Sequence, residues 1–437
     1  MSTNILLLFS SLFLASGEPA APPCGPLSLA ECVDYALENN PRTRAAYLAA
    51  RSSEADVAVA RGAYLPTADL GVGAGTSGVL GDDGPAGEPG VGATAKLSLS
   101  YLIFDGSRRG ALDGARARLN SAVFNERAVL LDVALDVEEA WMGLQGELWT
   151  RDAVEELIRE AEYQHRLAEA RFQVGLARNY DVVLAKATLK EVEVQRATAA
   201  NGLVLTRGEL ARAMGVDVRE RLEVAPLSQE AAAALLPPVE RLLRDALDHR
   251  PELGRARASV QEALAATRIA KAGHLPTISV DTSIAARWDS PADITAPWAV
   301  WVGLNLPLFR GLRTVHTIRG AEFDEARARA ELADAISDVQ FEVWAAHAAV
   351  RNADAVQDAT APLLEAAEEA VAVAEADYKA GTGTMAELLN AQAGRANARL
   401  GLLQARLDHL LALSRLQRAV GQVLSHDSAT TTGRFTP

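Results

Sequence analysis

The chain is written twice. LAECVDYALENNP at 29–41 matches VERLLRDALDHRP at 239–251, with Pro41 and Pro251 210 positions apart. ARGAYLPTADL and AKAGHLPTISV keep that offset through Pro66 and Pro276. YLIFDG (101–106) then matches LPLFRG (306–311), where Phe104 and Phe309 are 205 apart. Gly175 pairs with Gly381, and Met214-Gly215 with Val420-Gly421, at 206. A repeat of this length demands a fold built from two equivalent units. The slip in offset falls between GVLGDDGPAGEPG (78–90) and the shorter DSPADITAP (289–297). Both stretches are rich in turn residues. Extra residues in an exposed loop cost little entropy, so length differences collect there.

Each unit reads helix, hairpin, long helix, turn, helix. Ser28–Tyr64 is helical in pattern, with a break at Asn39-Asn40-Pro41, because the residue before a proline disfavours the helical region. Leu65-Pro66 ends it. After Phe104-Asp105-Gly106, the stretch Ser107–Gln173 contains no proline and would reach ~100 Å as a helix. Val129, Val133, Val137, Trp141, Leu144 and Leu148 fall three or four apart on one face. The second copy spans 312–379, and its Pro362 predicts a kink. The returning helices, about 180–214 and 386–423, keep the same spacing in Leu400, Leu403, Leu407 and Leu410. Helices this long must pack side by side, as in coiled coils. The composition agrees: 49% of residues are apolar but only 5% aromatic, and alanine, the best helix former, supplies much of the apolar share. The segments expected are a signal peptide at 1–17, a linker at 18–27, a first repeat at 28–224, a linker at 225–238, a second repeat at 239–424 and a disordered tail at 425–437.

Between the helices the period changes to two. Ala95, Leu97, Leu99, Tyr101 and Ile103 share one face, and Lys96, Ser98 and Ser100 the other. In the second unit Ile278, Val280, Thr282, Ile284 and Trp288 alternate with Ser279, Asp281, Ser283 and Arg287, and Trp298, Val300, Val302, Leu304 and Leu306 line one face. The strands fall at about 67–77, 94–104, 277–288 and 298–308. A soluble sheet with one buried face and a membrane barrel both alternate this way. Strand length near ten residues, tryptophans at a hairpin tip and charges on the opposite face favour the barrel. Four strands cannot close one, and open edges are not tolerated in lipid, so several chains would have to share it.

The net charge of −14 argues against nucleic acid as a partner, since no basic face has to neutralise phosphates. ILLLFSSLFL at 5–14, followed by small residues, has the form of a secretory signal and is too short to span a bilayer as a helix. Cys24 and Cys32 leave a disulfide, a buried thiol at Cys32 and lipidation at Cys24 as alternatives. Neither the histidines nor the cysteines show metal-ligand spacing. No phosphate loop, nucleophile elbow or other catalytic constellation is present, so neither an enzyme activity nor a cofactor is expected.

The ordered, doubled motifs LAECVDYALENNP, LPTADL and FQVGLARNYDVVLAKA, with LPTISV, LPLFRG and YKAGTGTMAELLNAQA, resemble the TolC-like outer membrane efflux family over roughly 27–424. The resemblance implies a mainly α protein with a small β part. A homotrimer would form an α-helical periplasmic barrel and a shared transmembrane β-barrel in the cell outer membrane, with four strands per chain. It implies a passive, non-enzymatic exit duct exporting small molecules with a periplasmic adaptor and an inner membrane pump. A type I protein secretion duct and a non-channel periplasmic coiled coil are the alternatives. FQVGLARNYDVVLAKA and YKAGTGTMAELLNAQA would be the periplasmic tips, where Gly175 and Gly381 reverse the chain. In the family an aromatic, a basic and an acidic residue can link neighbouring helices there. Position by position, the aromatic falls on Tyr378, the linking acid on Asp181 and a lumen-ring acid on Glu387. The basic position is Gly383 and the second ring position Asn390, so the network lacks its base unless Arg178 supplies it. Glu387 is equally read as a helix cap.

Overall fold

The computed structural model describes residues 25–77, 80–81, 84–85, 90–220, 222–226, 236–289 and 293–422. The expected signal peptide, Cys24 and the C-terminal tail lie outside them. The elements in chain order are β1 (Pro26–Leu27), α1 (Leu29–Asn39), α2 (Pro41–Gly62), β2 (Thr67–Ser77), β3 (Gly90–Asp105), α3 (Ser107–Gln173) and α4 (Asn179–Met214). The second half runs β4 (Glu223–Val224), α5 (Val239–His249), α6 (Pro251–Ala272), β5 (Thr277–Asp289), β6 (Trp298–Asn305), α7 (Arg313–Ala380) and α8 (Met385–Val420). The short ribbon segments Leu80–Gly81, Gly84–Pro85 and Asp293–Thr295 complete the strands among the described residues. The chain divides into two compact units. One contains Met1–Ala46, Glu126–Pro251 and Ile336–Pro437, the other Tyr47–Asn125 and Glu252–Ala335.

The first unit is helical. Cys32 and Ala36 of α1 pack with Val133, Val137, Trp141 and Leu144 of α3 and with Leu210 and Met214 of α4, all essentially inaccessible. Cys32 is a free thiol. β1, at the end of the expected N-terminal linker, pairs in parallel with β4 of the first repeat; Gln145 Nε2 donates to Ala225 O and Ala225 N–H to Leu27 O, which holds both strands against α3. α3 and α8 are joined by ion pairs Glu160–Arg395, Glu156–Arg399, Glu139–Arg415 and Asp132–Arg418, which descend one helix as they climb the other. Each partly exposed pair contributes about 0.2–1 kcal/mol, so they fix antiparallel register more than they add stability.

The duplication extends to single hydrogen bonds. α4 and α8 end on Gly215 and Gly421, both left-handed with φ 79° and 87°. Each closes with the same pair of bonds: Gly215 N–H to Arg212 O and Val216 N–H to Ala211 O, then Gly421 N–H to Arg418 O and Gln422 N–H to Gln417 O. The carbonyls left over at a helix end need donors. Asn40 Nδ2 donates to Ala213 O at 2.7 Å, and in the second repeat Arg250 Nη1 reaches Arg418 O and Ala419 O at 3.1 and 3.2 Å. α7 continues through Pro362, which offers no N–H to the preceding turn.

The second unit centres on an antiparallel sheet in the order β2-β3-β5-β6, with β2 and β6 at its edges. β3 begins at Gly90, earlier than the alternation suggested. β6 stops at Asn305 rather than 308, because Pro307 cannot donate to a ladder. A bulge interrupts β3: Leu102 pairs with Ser279, Phe104 with Ile278, and Ile103 has no partner. Phe104, not Ile103, therefore continues the apolar register. Below the sheet α3 crosses α6 closely. A side chain carbon at Gly110 would lie 3.0 Å from Ala265 O and 3.2 Å from Ile269 N, so the helices could keep this approach with any other residue only by shifting backbone. Arg268 pairs with Asp113 across the same crossing at 2.8 Å.

Candidate functional site

The two tips are built alike. α3 ends in Gly175 (φ 78°) and α7 in Gly381 (φ 81°). Gly175 N–H donates to Phe172 O and Leu176 N–H to Arg171 O; Gly381 N–H donates to Tyr378 O and Thr382 N–H to Asp377 O. Both are left-handed helix terminations that glycine makes without steric cost. The chain then restarts as a helix, and here the repeats differ. At the second tip Thr384 Oγ1 accepts from Glu387 N–H at 3.2 Å while the Glu387 carboxylate accepts from Thr384 N–H at 2.7 Å. This reciprocal capping box satisfies two otherwise orphaned donors. At the first tip Asp181 accepts from Arg178 N–H at 3.1 Å, but a guanidinium has no acceptor with which to return the bond.

Around these turns the ends of α3 and α7 and the starts of α4 and α8 share a small apolar core of Ala168, Ala185, Tyr378, Met385, Leu388 and Leu389. Tyr378 is 4% exposed. The Arg171 guanidinium lies 4.7 Å from its ring centroid and donates to Lys379 O at 3.3 Å. A cation over an aromatic face contributes about 0.5–1 kcal/mol at exposed sites and more when desolvated. The Tyr378 hydroxyl has no hydrogen-bond partner among the described residues. Burial raises its pKa, against the pull of Arg171, with the Asp181 charge adding to the rise. Asp181 is itself 7% exposed, and Arg178 Nη2 is 3.7 Å from its carboxylate.

The structure thus brings Tyr378 and Asp181 together and leaves Glu387 and Asn390 exposed on the start of α8. The Glu387 carboxyl is held below the ordinary carboxylate range by the Thr384 backbone N–H first and its hydroxyl second. Gly383 is not an open slot for a basic side chain: an added carbon would sit 3.0 Å from Asp377 Cβ and 3.2 Å from Tyr378 N. The base beside the tyrosine is Arg171, which the sequence reading passed over. Its one signal was its place in the last turn of α3, where a cation favours the helix end. Among the described residues no group of three or more His, Cys, Asp or Glu is placed to hold a metal, and no helix is long and apolar enough to cross a membrane.

The family model described as "Outer membrane efflux protein" matches residues 32–216 and 242–422, one segment for each repeat. The chain belongs to the outer membrane efflux protein family. This family member is 30% identical to protein CyaE of Bordetella pertussis over 87% of its own length and 82% of the relative's. It is 25% identical to outer membrane protein TolC of Vibrio cholerae over 92% of both chains. Its fold matches the Campylobacter jejuni CmeC outer membrane channel with a TM-score of 0.81 at 17% identity, over 90% of this chain and 85% of that one. The family is made of outer membrane channel proteins rather than enzymes.

Proposed function

We propose that the protein is the outer membrane exit duct of an efflux system, a passive trimeric channel for small molecules. The observation that carries this is the sheet. One face is apolar from edge to edge: Leu70 faces Leu97, Leu97 faces Ile284, and Ile284 faces Trp298. These side chains are exposed in the single chain, Trp298 by 74%, and an exposed apolar surface of this kind calls for lipid or a partner. Among the described residues, the edges β2 and β6 have no strand on their outer sides. Lipid forbids such edges, so neighbouring copies join β6 to β2 and close one barrel from four strands of each chain. The long helices then form a periplasmic tunnel that meets an adaptor and an inner membrane pump at the tips. Tyr378, Arg171 and Asp181 hold the tips together, and the exposed Glu387 supplies negative charge at the entrance, where focusing raises local cation concentration.

Planar lipid bilayers test the proposal. The purified protein is expected to give cation-preferring unitary currents, and two variants to separate the two roles: Asp181→Asn loosens the entrance, while Glu387→Gln removes the cation preference. Absence of conductance in wild type and variants alike, together with recovery in the soluble periplasmic fraction, would instead identify a non-channel coiled coil.

A further inference from the structure

The face of the sheet opposite the lipid-type face is polar, with one large exception. Register places Ser283 beside Ser98, Asp281 beside Ser100, and Thr277 beside Asn305. Among the described residues of that face, apart from alanines, only Leu102 and Trp301 are apolar. Trp301 lies between Trp298, Val300, Val302 and Leu304 in sequence, yet its odd position in the alternation turns it to the other side. It is 71% exposed. Its neighbours two residues away on the same strand are Ala299 and Gly303, too small to cover the indole from along β6. Directly across the ladder stands Asp281, whose carboxylate accepts a hydrogen bond from Ser279 Oγ at 2.9 Å.

A tryptophan this exposed within its own chain contributes little to the fold: most of its apolar area covers nothing there. Its pairing with a carboxylate gives it a chemistry. Cross-strand neighbours have Cβ atoms about 4.5–5.5 Å apart, so one ligand can touch both. An indole face attracts cations through its quadrupole. A small inorganic ion keeps its water and is poorly matched to such a surface. A quaternary or aromatic ammonium sheds water readily and presents both charge and apolar area. The basic residues of this face do not cancel the acid locally. Lys96 lies beside Ala285, four positions along the strand from Asp281, or roughly 13 Å. Arg287 is farther still.

We propose that Trp301 and Asp281 form an organic-cation site on the lumen wall of the barrel, one per chain, which retains weakly hydrated cations in transit and so biases the duct toward them. This deepens the exit-duct reading and rests on it, because the polar face is a lumen only if copies close a barrel.

The test uses the full-length protein in planar bilayers with tetraethylammonium as the probe. It is expected to reduce the unitary potassium current, and Trp301→Leu to raise the half-blocking concentration about threefold to thirtyfold, the range of a cation–aromatic contact. Asp281→Asn should raise it as well, and Trp301→Phe, which keeps an aromatic face and guards against misfolding, should retain part of the block. Conducting channels whose block is the same in wild type and Trp301→Leu would overturn the site while leaving the duct intact. Absence of any conductance would overturn both. A second readout concerns orientation: the tryptophan fluorescence lost in Trp301→Phe should be insensitive to lipids brominated in their acyl chains. Quenching of that component by such lipids would place Trp301 against the bilayer and refute the site independently.

Discussion

Gly110 and Gly114 lie one turn apart on α3 and face the same helix, yet replacing each with alanine should have opposite effects. In an ordinary helix interior the change gains about 0.5–1 kcal/mol, because glycine loses more backbone entropy on folding. At Gly114 the new carbon would rest 3.5 Å from Ala265 Cβ, an ordinary contact, so Gly114→Ala should realise that gain. At Gly110 it would lie 2.7 Å from Ile269 Cγ1, 3.0 Å from Ala265 O and 3.2 Å from Ile269 N. Two of these are backbone atoms that cannot turn aside. Overpacking of this kind costs about 1–3 kcal/mol, which cancels the entropy gain and leaves a net loss of up to about 2 kcal/mol for Gly110→Ala. The shared entropy gain cancels between the two variants, which then differ by the overpacking cost alone, about 1–3 kcal/mol, or roughly 5-fold to 150-fold in an opening equilibrium. Hydrogen exchange of peptides from 107–125 and 252–272 in the lipid-reconstituted protein measures it. The consequence reaches the sheet, because α3 follows β3 directly and α6 leads into β5, and β3 and β5 are hydrogen-bonded neighbours. Strands pair about 4.8 Å apart whereas helices pack at about 8–10 Å, so a close crossing eases the transition between them. If Gly110→Ala protects these helices as well as Gly114→Ala does, the close approach is not what the glycine is for.

Other outcomes follow from the caps and the core. Thr384→Ala should destabilise the start of α8 by about 1 kcal/mol, read as faster exchange in residues 385–393, whereas Arg178→Ala should leave the start of α4 much less affected. Since Glu387 has a lowered pKa in the fold, its half of the capping box is in full effect above the ordinary carboxylate pKa and is lost as pH falls through the folded value; protection at the start of α8 should therefore fall on the acid side in wild type and Thr384→Ala alike, and not in Glu387→Gln. Cys32 has its pKa pushed up to about 12, mainly by burial with the Glu31 charge adding, so at pH 8 peptide mapping should find it unalkylated in the native protein and modified only on unfolding. Alkylation of Cys32 without unfolding would contradict its place in the core.

Much of this architecture could be read along the chain because it follows from local or periodic constraints. The two repeats, the glycines at 175 and 381 and the alternation in β5 and β6 are statements about neighbours in sequence. A change of period marks where helix becomes strand, and glycine marks where a helix must stop. The alternation also contained Trp301 on the wrong face, but its importance emerges only when the ladder sets Asp281 opposite. The expected strand end at 308 overruns β6, which stops at Asn305, because the apolar series continues to Leu306 while Pro307 has no donor for a ladder.

What tertiary structure alone decided lies between the repeats. Arg171 reaches Lys379 O, 208 positions away, and its guanidinium covers Tyr378; neither residue's surroundings in sequence announce the other. The crowding at Gly383 is likewise set by how the chain returns past Asp377. Asn40 and Arg250 occupy equivalent places and both satisfy the end of a helix far along the chain, using different chemistry. Sequence determines where a backbone turns and which side of each element is apolar, since propensity and period act over a few residues. Which charge meets which ring depends on packing between segments brought together only by the whole fold.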